Sequence, residues 1–195
     1  PADDERNASP YTSFSIKFNA PIDSDTVMSN LKFTPPIDAT RVYTYFSEWD
    51  LSFSVDFGAQ PSSNYQVDIG PDIQDRYGNK TGQTMTVRFR TAPLEPQAQL
   101  VAPGQISTAN ANDPVSLFVR HLNTGRLTFR LYRLNLQEMV AALNDWWNYS
   151  PPRGGLVRKW TADVESPENQ WQTLPVMLNE KDQLLTPGVY LVTLA

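Results

Sequence analysis

The feature that most constrains this chain is a tyrosine-headed strand pattern that occurs twice, about 125 residues apart. Residues 64–70 read Asn-Tyr-Gln-Val-Asp-Ile-Gly, and residues 187–193 read Pro-Gly-Val-Tyr-Leu-Val-Thr. In both copies a turn residue comes shortly before the tyrosine, Tyr65 or Tyr190, and apolar residues are frequent after it. In a β-sandwich, a tyrosine placed in this way bonds through its hydroxyl to the backbone of the preceding corner. The repeat therefore predicts two β-sandwich modules in tandem.

Length and composition agree with this organisation. The chain has 195 residues, which fits two modules of roughly 100 residues each. It has no cysteine, which excludes disulfides, thiol nucleophiles, thiolate metal sites and thioesters within these residues. No apolar stretch approaches the roughly 18 residues of a membrane span. Because the sequence starts abruptly at Pro1 and stops inside a strand-like run at Ala195, we expect it to be part of a longer protein.

The charge distribution argues against nucleic acid as a partner. Residues 1–99 contain 8 Lys/Arg and 13 Asp/Glu, whereas residues 100–195 contain 8 of each class. The acidic excess therefore lies in the first half. Nucleic-acid binding requires a basic surface, and neither half has the composition for one.

The first half shows the period-2 alternation of strands with one buried face. We predict strands around residues 14–18, 31–33, 51–57, 65–69 and 85–89, separated by proline, glycine and asparagine turns. Residues 1–7 are polar and aperiodic, so we expect a flexible lead-in. Pro93 and Pro96 favour an extended connector, which places the boundary between the modules near residues 92–99.

The second half adds one helix to the strand pattern. We predict strands at residues 115–120, 127–132, 156–164, 173–178 and 188–194. Between the second and third of these, Asn135 and Glu138 form a capping-box pattern. A helix of about three turns is expected to follow and to pack on its sheet. Its apolar stripe consists of Leu136, Met139, Val140, Leu143 and Trp147.

Several segments of the first half resemble the bacterial immunoglobulin-like domains. That type reads F-x-x-P-hydrophobic-D, Y-x-V, D-x-x-G-N and F-x-T. The matching segments are residues 18–23 (Phe-Asn-Ala-Pro-Ile-Asp), 65–67 (Tyr-Gln-Val), 75–79 (Asp-Arg-Tyr-Gly-Asn) and 89–91 (Phe-Arg-Thr). The resemblance implies an immunoglobulin-like β-sandwich over residues 10–93.

The second half is similar to an N-terminal macroglobulin-type domain of bacterial alpha-2-macroglobulin-like proteins. The similarity is carried by residues 114–117 (Pro-Val-Ser-Leu), 131–134 (Leu-Tyr-Arg-Leu), 157–160 (Val-Arg-Lys-Trp) and 185–190 (Leu-Thr-Pro-Gly-Val-Tyr). It implies a macroglobulin-type β-sandwich over residues 97–195 with one inserted helix. Because the chain ends after the Tyr190 strand, we expect this sandwich to lack its last strand.

The resemblance implies a bacterial protease inhibitor that traps proteases after bait cleavage, often with covalent capture through a Cys-Gln thioester. This chain lacks the cysteine and has no segment that reads as a bait region, so we expect non-catalytic structural modules. The implied partners are the other domains of the same chain and the target proteases, in the periplasm or outside the cell, at the cell envelope. The alternatives are spacer or ligand-binding modules of a surface adhesin or S-layer-type protein, and a carbohydrate-binding accessory domain.

Three groups of residues are weighed as candidate sites, and none is assigned a catalytic, cofactor or metal role. The lone His121 has no nucleophile motif beside it, so we expect a surface or turn position. Asp72, Asp75 and Asn79 are typical of an Asx-turn, with a weak metal site as the alternative. Trp146, Trp147 and Tyr149 are interpreted as helix packing, with a sugar platform or a partner contact through Trp146 as the alternative.

Overall fold

The fold was analysed in a computed structural model of the chain. The structure describes residues 1–11, 13–101, 104, 106–145, 148–151, 153–181 and 183–195. The chain divides into two compact units, Pro1–Leu94 and Glu95–Ala195. No helix in the described part of the chain is long and apolar enough to cross a membrane.

The first unit is a sandwich of two β-sheets. Its strands are Glu5–Ala8 (β1), Phe14–Lys17 (β2), Leu31–Thr34 (β3), Tyr43–Ser47 (β4), Ser52–Asp56 (β5), Asn64–Ile69 (β6) and Met85–Thr91 (β7). One sheet has the order β1-β7-β6-β3 and the other β2-β5-β4. Short 3-10 helices lie at Ser24–Thr26, Met28–Asn30 and Ala39–Arg41. The mostly β fold expected from the sequence is confirmed.

Five aromatic rings form a closed circuit in the core of this unit. Their centroids are 5.0 to 6.4 Å apart, and each ring contacts two others. All five are buried, and they come from both sheets: Phe14, Phe33, Phe57, Tyr65 and Phe89. Burying a side chain of this size stabilises a fold by about 1.5–3 kcal/mol. Each favourable ring pair adds about 0.5–1.5 kcal/mol to that burial.

The expectation of a flexible lead-in is wrong. Residues 5–8 form β1, which runs parallel to β7 at the edge of the four-stranded sheet. Ala8 is fully buried there, the Asp4 N–H donates to the Arg88 carbonyl at 2.6 Å, and the Asp3 carboxylate accepts from the Arg88 N–H at 2.8 Å. The pairing depends on backbone groups about 85 residues away. A polar tetrapeptide without alternation gives no sign of it.

The second unit contains two three-stranded sheets and one α-helix. Its strands are Gln97–Val101 (β8), Ser116–Leu122 (β9), Arg126–Leu134 (β10), Leu156–Asp163 (β11), Gln172–Met177 (β12) and Val189–Leu194 (β13). The helix is Leu136–Asn144 (α1), and a 3-10 turn lies at Arg153–Gly155. The sheet orders are β11-β10-β13 and β12-β9-β8. Besides β1, the strands β4 and β8 are absent from the prediction made from the sequence.

This unit has its own buried cluster. Val119, Leu127, Phe129 and Val176 form its centre. The rings of Phe129 and Trp160 stack with centroids 5.1 Å apart. The Arg158 guanidinium lies 4.2 Å from the Trp160 centroid on the same strand, which is within cation–π range.

Helix α1 begins as predicted but packs differently. The Asn135 side chain accepts from the Glu138 N–H, and the Glu138 carboxylate accepts from the Asn135 N–H, so the capping box is confirmed. The helix has nine residues, and none is buried. Leu136 is 70% exposed and Val140 47% exposed, so the expected packing on the sheet is wrong for these two residues of the apolar stripe, whereas Trp147 lies outside the described residues. Helical spacing shows that apolar residues share one face, but not what covers that face.

The two repeated tyrosines both bond to the preceding backbone, as predicted. The Tyr65 hydroxyl accepts from the Gln60 N–H at 2.9 Å, and the Tyr190 hydroxyl donates to the Thr186 carbonyl at 2.7 Å. The repeat also predicts that both rings are largely buried at equivalent places. Tyr65 is buried, whereas Tyr190 is only half-buried, so this prediction is wrong for Tyr190. Tyr65 lies on β6, which has neighbours on both sides, while Tyr190 lies on β13 at the end of its sheet.

The tyrosine bonds are expected to differ in their contribution to stability. Tyr65→Phe leaves the Gln60 N–H unpaired in a partly buried corner and should lower the free energy of unfolding by about 1 kcal/mol or somewhat more. Tyr190→Phe leaves the Thr186 carbonyl exposed to water, so the free energy of unfolding should fall by less than about 0.5 kcal/mol. Urea denaturation measures both, with Tyr11→Phe as an exposed control. An equal loss at the two sites would contradict this difference.

Candidate functional site

His121 is a core residue and not a surface residue, so the expected surface or turn position is wrong. It lies on β9 opposite Gln172 and Ala98, and it is only 2% exposed. Its Nδ1 atom is buried and has no hydrogen-bond partner among the described residues. Asn123 and Gly125 follow closely, but β9 continues to Leu122, so the imidazole stays on the buried face shared with Val119. A general base must reach the proton that it removes, and this enclosed ring does not.

The loop that contains Asp72, Asp75 and Asn79 is built around the Asp75 carboxylate. Oδ1 of Asp75 accepts from the backbone N–H groups of Tyr77 at 2.8 Å and Asn79 at 2.9 Å. Oδ2 accepts from the Asn79 side-chain amide at 2.7 Å. Gly78, at φ 87°, has the left-handed conformation that glycine tolerates best. These contacts favour the Asx-turn interpretation.

The electrostatics of this loop follow from the same contacts. The hydrogen bond from the Asn79 side chain, helped by backbone N–H donors, lowers the pKa of Asp75 below its ordinary value. The Asp72 carboxylate accepts from the Lys80 ammonium at 2.7 Å. In the part of the chain that the structure describes, no three His, Cys, Asp or Glu side chains are grouped closely enough to hold a metal ion.

The aromatic platform considered near the end of α1 is only partly described. Trp146 and Trp147 lie outside the described residues, so their packing stays a prediction. The Tyr149 hydroxyl is buried and has no hydrogen-bond partner among the described residues. Burial raises the pKa of Tyr149, and the nearby Glu138 carboxylate raises it further. A buried hydroxyl is not available to a sugar at the surface.

A depression on the four-stranded sheet was not expected from the sequence. It has a volume of about 700 Å³ and is lined by residues of β1, β3, β6 and β7. Three arginines line it: Arg6, Arg88 and Arg90. Arg88 Nε donates to the Gln66 side chain at 3.2 Å. Two carboxylates, Asp4 and Glu5, line the same depression, so its charge is close to balanced.

A row of exposed aromatic residues on the β2-β5-β4 sheet of the first unit was also not predicted from the sequence. Tyr43 and Tyr45 on β4 are 74% and 69% exposed, and Trp49 in the β4–β5 hairpin is 98% exposed. The available signal was the alternation of Tyr43 and Tyr45, which places both rings on one face. Turn residues around this segment weaken its strand signal in the sequence.

The Asp75 turn makes a pH-dependent prediction. Because its pKa is lowered on folding, Asp75 contributes stability above the ordinary value of 3.8, and this contribution is lost as the pH falls through the folded pKa. The stability difference between the wild type and Asp75→Asn should therefore shrink as the pH falls below 3.8. In Asn79→Ala, an NMR titration should show the Asp75 pKa moving up. An unchanged Asp75 pKa in that variant would contradict the assignment.

Comparison with known proteins relates the first unit to a described domain family. Residues 1–91 match the family described as Bacterial Ig-like domain (Big_5). No curated protein matches the chain.

Solved structures of bacterial alpha-2-macroglobulin are similar over nearly the whole chain. A Salmonella point mutant has a TM-score of 0.68 and 17% identity, covering 93% of this chain and 12% of that chain. The Salmonella protein reacted with methylamine has a TM-score of 0.66 and 18% identity, with the same coverage. A native Escherichia coli structure spanning domains MG0-NIE-MG1 has a TM-score of 0.42 and 18% identity, covering 94% of this chain and 61% of that chain.

The chain thus spans 12% of the length of the Salmonella proteins. At this identity the similarity concerns the fold. The resemblance expected from the sequence motifs is confirmed at that level: in fold the chain is alpha-2-macroglobulin-like, and its residues 1–91 match a bacterial immunoglobulin-like domain.

Proposed function

We propose that this chain supplies non-catalytic structural modules to a bacterial alpha-2-macroglobulin-like protease inhibitor. One observation carries the proposal: the fold agrees with that of Salmonella alpha-2-macroglobulin over 93% of the chain, across both units. The partners would be the other domains of the same protein and, for the whole protein, its target proteases. The location would be the periplasm or the extracellular side of the cell envelope.

The modules are proposed to be an immunoglobulin-like sandwich over residues 10–93 and a macroglobulin-type sandwich over residues 97–195. Each unit has its own buried cluster, which supports this division. The connector contains Pro93 and Pro96, which limit its backbone freedom. A module with its own core can hold a fixed shape while it positions the rest of a long chain.

The contacts of the described polar side chains support a structural, non-catalytic role. His121, the one imidazole of the sequence, is enclosed in the β9 sheet. The Asp75 carboxylate is held by turn N–H groups. The ion pair between Arg126 and Asp163 is exposed and joins neighbouring strands of one sheet. Such contacts stabilise strands and turns, and exposed pairs of this kind contribute little free energy.

The trap function predicts different behaviour for the whole protein and for this chain. The full-length protein, incubated with an endoprotease, should suppress cleavage of a large protein substrate while a small peptide substrate is still cleaved. The 195-residue chain alone should leave both activities unchanged. Absence of suppression by the full-length protein would contradict the trap, and inhibition or hydrolysis by the chain alone would contradict the structural role.

The second module is proposed to continue beyond β13 with a further strand. Among the described strands, β13 pairs only with β10. All six of its residues are half-buried, whereas β6, which has two neighbours, buries Tyr65, Val67 and Ile69. This difference is expected for a strand whose outer neighbour is missing.

Hydrogen exchange tests this proposal. The amides of Val189–Leu194 should exchange faster than those of Asn64–Ile69, because an edge strand lacks a second hydrogen-bonded neighbour. Exchange measured by NMR on the 195-residue chain gives both rates in one sample. The β12 strand, also at the end of a sheet, is the internal control and should be as fast as β13. Slow exchange in β13 alone would contradict a missing neighbour.

A further inference from the structure

The β4 edge, defined as residues 43–47, is an open strand of the first unit. β4 is the outer strand of the sheet β2-β5-β4 and is hydrogen-bonded along its length to β5 only. Among the described residues, no other backbone group bonds to it. Its outer N–H and C=O groups are therefore able to pair with another strand.

The β4 edge lacks the features that normally prevent strand pairing. Proteins protect edge strands by keeping them very short, or by placing charges or proline on them. The four-residue strands β1, β2 and β3 carry Arg6, Lys17 and Lys32, respectively. β11 carries Lys159 among other charges, and β12 carries Pro175. β4 reads Tyr-Thr-Tyr-Phe-Ser, with neither charge nor proline. The edge strands β8 and β13 also lack both, but among the described edge strands only β4 exposes two aromatic rings.

Exposed aromatic side chains accompany this open backbone. Tyr43 and Tyr45 lie two residues apart on one face and are largely exposed, and Trp49 in the adjoining hairpin is almost fully exposed. Tyrosine and tryptophan are enriched at protein interfaces because they bury a large area and keep a polar tip. In strand addition, backbone hydrogen bonds supply affinity and alternate side chains supply specificity. The β4 edge presents both.

The charges at its two ends indicate which strand fits. Arg41 ends the 3-10 helix just before the β4 edge, and Glu48 and Asp50 lie after its end. Glu48 already pairs with Arg76, so Asp50 is the carboxylate that a partner strand would meet. An antiparallel partner places its own C-terminal end beside Arg41 and its N-terminal end beside Asp50. It should therefore carry acidic residues at its C-terminal end and a basic residue at its N-terminal end. Residues 41–50 of this chain have that order of charges.

We propose that the β4 edge pairs with the β4 edge of a second copy of this chain, antiparallel about a two-fold axis at Tyr45. In this register Tyr45 faces its own copy and Tyr43 faces Ser47. Arg41, which ends the 3-10 helix before β4, comes to the end of the partner strand where the hairpin carries Trp49 and Asp50. Arg41 thereby gains an opposite charge and a nearby aromatic ring. The two sheets become one continuous sheet, and the symmetric contact closes after two copies.

The contact is expected to be weak. Stable interfaces bury about 1,600 Å² in total, far more than two five-residue strands supply. We therefore expect the isolated chain to be largely monomeric at micromolar concentration and to dimerise only toward millimolar concentration. Sedimentation equilibrium from micromolar to millimolar concentration should show a monomer–dimer equilibrium without larger species.

A matched pair of tyrosine substitutions tests the location. Tyr45→Lys places two ammonium groups opposite each other at the axis and should weaken dimerisation by at least about tenfold. Tyr77→Lys makes the same change at a tyrosine that is 89% exposed in the Asp75 turn, and should leave the dissociation constant unchanged. Equal effects of the two substitutions, or none of Tyr45→Lys, would overturn the proposal.

A charge exchange tests the register. Arg41→Glu and Asp50→Arg should each weaken dimerisation because like charges then meet across the axis. The double variant restores opposite charges in both copies and should dimerise more tightly than either single variant. Failure of the double variant to recover, with circular dichroism showing a folded protein, would overturn the antiparallel register.

A dilution experiment needs no variant and separates this edge from β13. NMR spectra recorded between millimolar and micromolar concentration should show shifts confined to residues 41–50. A spectrum that does not change, or shifts confined to Val189–Leu194, would overturn the proposal. A monomer that instead binds an extended segment of another protein at β4 would show that the edge has a different occupant, and would also overturn it.

Discussion

The closed circuit of five aromatic rings is the interaction on which the first unit depends. Phe33, Tyr65 and Phe89 come from neighbouring strands of one sheet, and Phe14 comes from the other sheet. Because each ring contacts two others, the circuit joins the two sheets and constrains how their strands are aligned. The Tyr65 hydroxyl extends the same constraint to the corner at Gln60. A single side chain therefore links the core to the loop geometry.

Among the described residues, the second unit joins its strands through fewer aromatic contacts than the first. Phe129 on β10 lies opposite Trp160 on β11 and Leu194 on β13, so one central strand carries the contacts of its whole sheet. Among the described residues, the cluster around Phe129 contains four buried residues, compared with thirteen in the cluster of the first unit. Four further buried leucines of the second unit lie outside that cluster: Leu122, Leu131, Leu134 and Leu178. A smaller buried cluster means less hydrophobic free energy to oppose chain entropy. This unit has more to gain than the first from an added neighbour, which agrees with the half-buried state of β13.

Much of this fold could be predicted from the sequence, because alternation and turn chemistry are local signals. The Tyr65 and Tyr190 corners and the capping box at Asn135 were recognised in this way. The errors all depend on long-range contacts. β1 exists because β7 offers it a backbone partner, and the burial of His121 depends on residues distant in sequence that enclose its face of the sheet. The sequence near the candidate sites identifies the residue types, whereas the function of those residues depends on the structure that encloses them.

The two uncharged aromatic edges, β4 and β13, require different physical interpretations. β13 is half-buried on all six residues, so its side chains already belong to the sandwich and only its backbone lacks a neighbour. Tyr43 and Tyr45 on β4 are largely exposed at the edge of a sandwich in which seven strands are described. In the two proposals made above, a strand added at β13 belongs to the same module, whereas a strand added at β4 joins two copies. The first proposal therefore concerns folding, and the second concerns association, which depends on concentration.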